Sequence, residues 1–162
     1  ADYFPQHLGS EIEKINIKIY ENINNGVYKA GFATTQEAYQ EAVEALFVAL
    51  DWAEAKLNTK RYLCGELLTE ADWRFFVTLL RFDSVYFSHF KCNRRMISDY
   101  ECLSNYMREL YQVPGISDTC NMEHIKNHYY GSQKEINPSG VVPVGPDINL
   151  ENTHNRDKLF VS

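Results

Sequence analysis

Leu68-Thr69-Glu70-Ala71-Asp72-Trp73-Arg74-Phe75-Phe76-Val77-Thr78-Leu79-Leu80 opens with a helix start signal and continues as an almost unbroken apolar rod. Thr69 stands three residues before Asp72, the spacing of a capping box. The Thr69 hydroxyl can accept from the Asp72 backbone N–H while the Asp72 carboxylate reaches back to the Thr69 N–H, so two orphan donors are satisfied together. Leu68 and Trp73 stand at hydrophobic-staple spacing, which sets the angle at which the chain enters the helix. Glu70 and Asp72 add negative charge at the positive end of the helix dipole. Beyond the cap, Phe75, Phe76, Val77, Leu79, Leu80 and Phe82 leave little polar surface, the pattern of a helix buried in the middle of a bundle. Arg74, Arg81 and Asp83 interrupt it too often for a membrane span.

Outward from this rod, the flanking segments also read as helices. Ile12, Ile15, Ile19 and Ile23 recur at spacings of three and four from Ser10 onward. Asn24-Asn25-Gly26 reads as the stop, because Asn and Gly adopt the left-handed conformation cheaply. Val27 to Ala33 is then a short connection carrying Tyr28. Thr34 with Glu37 forms a second capping-box pattern, and the helix it starts runs to about Leu57. Ala38, Ala42, Ala45, Leu46, Ala49, Leu50, Ala53 and Leu57 line one of its faces.

The central rod is expected to end near Ser88-His89, before the basic turn Lys91-Cys92-Asn93-Arg94-Arg95. Ser98 or Asp99 would cap the next helix, with Leu103, Tyr106, Met107, Leu110 and Tyr111 inward. Pro114-Gly115 stops it. A last helix covers roughly Ile116 to Tyr130, broken near Cys120-Asn121. From Gly131 on, prolines and glycines break every helical period. The reading is all-α: a linker over 1–9, a helical domain over 10–130 and an extended tail over 131–162. No strand series or internal repeat is present.

With 162 residues, 44% hydrophobic and 23% charged, the chain can bury a sizeable core and does not resemble a disordered protein. Its net charge of −6, without a dense basic block, argues against binding nucleic acid through phosphates. Eleven tyrosines beside nine phenylalanines are more than core filling needs, and they suit a polar pocket lined by aromatic rings. Cys64, Cys92, Cys102 and Cys120 lack CxxC spacing, and no secretory h-region is found in these residues. Free thiols in a reducing, cytoplasmic setting are expected. The chain opens at Ala1 rather than methionine, so a processed product or a fragment of something longer is expected.

The capped rod Leu68–Asp72 resembles the N-capping box and staple of the C-terminal helical domain of glutathione transferases. Further stretches narrow the resemblance: Asn25-Gly26-Val27-Tyr28-Lys29-Ala30-Gly31-Phe32-Ala33, Arg81-Phe82-Asp83-Ser84-Val85-Tyr86 and His89-Phe90-Lys91-Cys92-Asn93. Tyr111 to Gly115, Ile125 to Tyr130, Asn137-Pro138 and Gly145-Pro146 add to it. Together they are similar to the Xi-class glutathione transferases, the glutathionyl-hydroquinone reductases. The resemblance implies an all-helical bundle that follows a thioredoxin-like domain holding glutathione and a nucleophilic cysteine in a Cys-Pro motif. This sequence has neither a Cys-Pro motif nor a βαβ pattern, so no catalytic residue is expected in it.

The activity implied by the resemblance is the glutathione-dependent reduction of glutathionyl-hydroquinones to hydroquinones, with formation of glutathione disulfide. Three tyrosines of the matching motifs, Tyr28, Tyr86 and Tyr129, would line the aromatic substrate pocket, and the family implies a homodimer. A phenol with a pKa of about 10 stays protonated at neutral pH and can donate to a hydroquinone oxygen. Two other readings stay open: an omega-class-like thiol transferase domain, and a non-catalytic interaction module. The latter would have Tyr28 and Tyr129 pointing apart.

Other candidates read more plainly. His124 and His128 stand four apart on a helix, but they lack the zincin glutamate and a third ligand, so no metal is expected. Cys92, beside Lys91, Arg94 and Arg95, and Cys120, before a helix start, could in principle be activated thiols. Both read first as small semi-buried hydrophobes.

Overall fold

The structure is a computed structural model and describes residues 1–161. Seven α-helices follow one another: α1 Gly9–Ile19, α2 Asn25–Gly31, α3 Gln36–Thr59, α4 Glu70–Arg81, α5 Glu101–Tyr111, α6 Met122–Ser132 and α7 Arg156–Leu159. Among the described residues there is no β-strand beyond one isolated bridge between Tyr62 and Gly65. No helix among them is long and apolar enough to cross a membrane.

Helix α4 is the central rod. Phe75, Phe76, Leu79 and Leu80 are buried along it, each worth about 1.5–3 kcal/mol relative to exposure. Its capping box is closed. Asp72 is fully buried and does more than cap. It accepts from the Thr69 N–H at 2.8 Å, the Leu63 N–H at 2.9 Å and the Tyr106 hydroxyl at 2.6 Å. One carboxylate thus ties the start of α4 to the preceding loop and to α5. Burial pushes its pKa up, and these donors oppose the shift.

The expected stop at Asn24-Asn25-Gly26 is not one. A π-helical turn, Tyr20–Asn24, carries α1 straight into α2, so the stretch expected as a connection is helical through Gly31. The cause is distant in sequence. Asn24 Nδ2 donates to the Arg74 carbonyl at 2.9 Å and to Thr78 Oγ1 at 2.6 Å on α4. Gly26 is buried and helical rather than left-handed.

Two caps also differ from expectation. Thr35, not Thr34, precedes α3 in extended conformation, and its hydroxyl accepts from the Ala38 N–H at 3.2 Å. Only the residue directly before the first helical one has a side chain placed to do this. Neither Ser98 nor Asp99 caps α5, because residues Ile97–Asp99 form a 3₁₀ turn of their own. The free N–H groups of Cys102 and Leu103 instead donate to the Glu54 carboxylate of α3, at 2.8 Å each. The Ile97 and Ser98 N–H groups donate to Asp83 at 2.6 and 3.0 Å. Side chains remote in sequence supply what a local cap would have supplied.

The stretch expected as an extended tail from Gly131 begins as the last turn of α6, which runs to Ser132, passes through turns such as that closed by the Ile136 N–H on the Gln133 carbonyl, and ends in α7, a short helix that the breaker-rich sequence did not predict. Arg156 anchors it. Its guanidinium is buried, donates to the carbonyls of Leu57, Lys60 and Arg61 at 3.2, 2.9 and 2.6 Å, and lies 3.2 Å from Glu109. At the other end of the chain, the Tyr3 carbonyl accepts from the Glu70 N–H at 2.7 Å, so the N-terminal stretch rests on the start of α4.

Candidate functional site

Three helical segments converge at the far end of α4. Tyr28 projects from α2, which follows directly on the π turn whose Asn24 is bonded to α4. Tyr86 ends a second π-helical turn, Phe82–Tyr86, that continues α4. Tyr129 comes from α6. A π turn inserts one extra residue per turn and so re-aims the side chains that follow.

The three phenols meet. Tyr28 and Tyr129 hydroxyl oxygens are 2.5 Å apart, and Tyr129 and Tyr86 are 2.9 Å apart. Tyr129 is therefore the middle member of a hydrogen-bonded series. Tyr86 and Tyr129 are almost wholly buried, whereas Tyr28 is 36% exposed. Their rings pack on Phe90, which lies 5.3 Å from Tyr86 and 5.2 Å from Tyr28 between centroids. The neighbouring Tyr130 is turned away and donates its hydroxyl to the Ser84 carbonyl at 3.2 Å.

The phenols open onto a hollow of about 340 Å³, also lined by Tyr20, Asn24, Arg74, Val77, Thr78 and Arg81. Burial, with the bond to Tyr129, raises the Tyr28 pKa to about 12. Burial raises Tyr86 further still. Both phenols thus stay protonated through the physiological range, and the series has a hydroxyl proton to offer a ligand oxygen.

Gly31 makes the packing behind the phenols possible. A Cβ there would lie 2.3 Å from the Phe90 ring, closer than side chains ever approach. The close contact between the end of α2 and Phe90 therefore needs glycine.

Arg81, Asn24 and Thr78 were not singled out in the sequence as site residues. Arg81 lies in a motif that was, but a basic residue on an apolar helix has no periodicity signal of its own. Asn24 looked like a helix stop.

The cysteines lie elsewhere. Cys92 is fully buried and burial pushes its thiol up to about 12 despite the basic residues beside it in sequence. Cys120 donates to the Ile116 carbonyl at 3.4 Å. His128 packs edge-on against Tyr129, and no three His, Cys, Asp or Glu residues among those described stand together as a metal site.

A strand-free bundle around a capped central helix, with an aromatic hollow at one end, is the architecture of a glutathione transferase helical domain. Residues 36–109 match, and belong to, the family of glutathione S-transferase C-terminal domains. It is 52% identical over 160 residues, 99% of its length, to glutathionyl-hydroquinone reductase YqjG of Escherichia coli strain K12, of which it covers 49%. The solved glutathione-bound structure of YqjG matches with a TM-score of 0.97 and 51% identity, over 99% of this chain and 52% of that one. Glutathionyl-hydroquinone reductase PcpF of Sphingobium chlorophenolicum is 52% identical over 90% of this chain and 47% of its own. A Xi-class glutathione transferase from Natrialba magadii matches with a TM-score of 0.96 and 47% identity, over 98% of this chain and 48% of that one. The chain spans about half the length of the curated relatives it matches.

Proposed function

We propose that this chain is the helical, substrate-binding half of a glutathionyl-hydroquinone reductase, working in the cytoplasm as a homodimer. A thioredoxin-like domain upstream of residues 1–9 holds glutathione and carries the nucleophilic cysteine. The helical bundle over 10–130 and its tail over 131–162 hold the aromatic part of the substrate. Glutathione supplies the reducing thiols and ends as the disulfide. The role of this chain is to stack the ring against Tyr28 and Tyr86 and to donate from the open end of the phenol series to a ring oxygen. Such donation is worth most where negative charge grows on a leaving group in a site shielded from water.

The observation that carries this reading is the convergence of three phenolic hydroxyls within hydrogen-bond distance at one hollow. An interaction module has no use for that arrangement, and in it Tyr28 and Tyr129 would diverge. The test is turnover of a glutathionyl-hydroquinone by the intact enzyme carrying Tyr28→Phe, Tyr86→Phe or Tyr129→Phe. Each is expected to lower kcat about tenfold or more, in the range of a lost transition-state hydrogen bond. Unchanged kinetics in all three would remove the proposed role. Equal turnover of a simple mixed disulfide would instead favour the omega-like thiol transferase.

A further inference from the structure

The wall of the hollow has an unusual charge balance. The chain as a whole is acidic, at −6. Yet among the nine residues lining the hollow there are two arginines and no carboxylate. Arg74 is neutralised, because Glu70 lies 2.6 Å from it. Arg81 pairs with no carboxylate among the described residues. One of its N–H groups donates to the Val77 carbonyl at 2.8 Å, one turn back on its own helix. A guanidinium has five N–H donors, so most of its donors face the hollow or solvent.

The phenols reach the same point by proton counting. Three hydroxyls carry three protons, and the two bonds among them use two. One proton is left for a ligand. Tyr28 is the open end of the series at 36% exposure, while Tyr86 at 3% is the closed end. Donation running from Tyr86 to Tyr129 to Tyr28 leaves the Tyr28 proton pointing outward, and each bond in such a chain strengthens the next. The Arg81 charge also pulls the Tyr28 pKa down against the effect of burial, as a nearby cation does. The remaining titratable groups at the hollow are Tyr20, which is exposed, and the paired Arg74.

We propose that Arg81 is a specificity-determining residue of this hollow: together with the outward Tyr28 hydroxyl it binds the ionised oxygen of an aromatic ligand, so that phenolates are taken in preference to neutral phenols. The assignment deepens the hydroquinone reading and rests on it for the identity of the hollow. It adds that acidic, electron-poor hydroquinones are the favoured class.

The test uses 4-nitrophenol, whose visible absorption reports its own ionisation, titrated into the chain across pH. Bound nitrophenol is expected to ionise about one pH unit below the free compound, equivalent to about tenfold tighter binding of the anion. Arg81→Gln abolishes the shift and weakens nitrophenolate binding about tenfold, the same factor read as affinity. Arg81→Lys keeps most of both, and the thermal midpoint of each variant checks that the fold is intact.

Three results overturn the proposal: no saturable binding to the native chain, nitrophenolate binding that Arg81→Gln leaves unchanged, or equally tight binding of 4-nitroanisole, which cannot ionise. The outcome is separable from that of the hydroquinone reading. If the tyrosine variants lose turnover while Arg81→Gln binds normally, only the anion role falls. If phenolate binding depends on Arg81 but the tyrosine variants turn over normally, the hydroquinone reading falls.

Discussion

The two ends of α4 both carry buried polar side chains, but they are arranged in opposite ways. At the N-terminal end Asp72 is enclosed, and its oxygens are met by backbone and hydroxyl donors from three segments. Nearby, Glu109 accepts from Arg61 at 2.7 Å and from Tyr62 at 2.8 Å and lies against Arg156. At the C-terminal end the tyrosines bond to one another, and the series ends at the partly exposed Tyr28 beside Arg81, which has no carboxylate partner among the described residues. The oxygens of Asp72 are all taken by donors of the chain, so that end holds segments together and has nothing left for a ligand. A network with one proton and one charge to spare, at an open hollow, is equipped to bind. Burial of polar groups is common to both ends; the unspent donors are what separate a brace from a site.

The largest break of this contrast is Asp72→Ala. It leaves the Leu63 and Thr69 N–H groups and the Tyr106 hydroxyl buried without an acceptor. The expected loss is about 3 kcal/mol or more, read from the midpoint of urea unfolding. A loss under about 1 kcal/mol, the scale of an ordinary cap, would mean that the enclosed end is not a brace. Gly31→Ala strikes the open end instead. The new methyl must displace Phe90, at a cost of about 1–3 kcal/mol typical of overpacking, and the ring shift should lower ligand affinity in the hollow more than it lowers stability. Equal stability and affinity would show that Phe90 does not position the phenols.

The smallest effect is expected from alkali and sharpens the comparison. Tyr106 at the braced end and Tyr28 and Tyr86 at the open end all have pKa values raised by burial. An unfolded tyrosine releases its proton near pH 10, whereas the folded chain keeps these protons, so the unfolded state binds fewer and stability falls as pH rises. Stability from these groups is whole below about pH 10 and is lost above it; for Tyr28 the loss runs to about 12. Unfolding midpoints measured across that range should decline, and Tyr106→Phe should flatten the decline. A decline that begins well below the tyrosine range would point to other groups.

Much of the scaffold was legible in the sequence because its causes are local. A threonine three residues before an aspartate, apolar spacing of three and four, and Pro114-Gly115 act within one or two helical turns. The break at Cys120-Asn121 falls where expected, with Asn121 capping α6 through a 3.0 Å bond to the His124 N–H. The site was legible in a different way. Tyr28, Tyr86 and Tyr129 were marked by resemblance of their motifs, since nothing in periodicity separates them from the other eight tyrosines. Arg81 stood in one of those motifs without a reason to be chosen.

By itself, then, the sequence determined an all-helical bundle around a capped central rod, because caps, periods and breakers depend on near neighbours. Only the tertiary structure decided that Asn24 continues a helix instead of ending it, that Glu54 caps α5 from another helix, and that Arg156 pins the tail. It alone brought three phenols and one free guanidinium around a common hollow. The hydrogen bonds behind these features join partners 43 to 101 positions apart, and a bond over that separation exists only once the chain has closed around it.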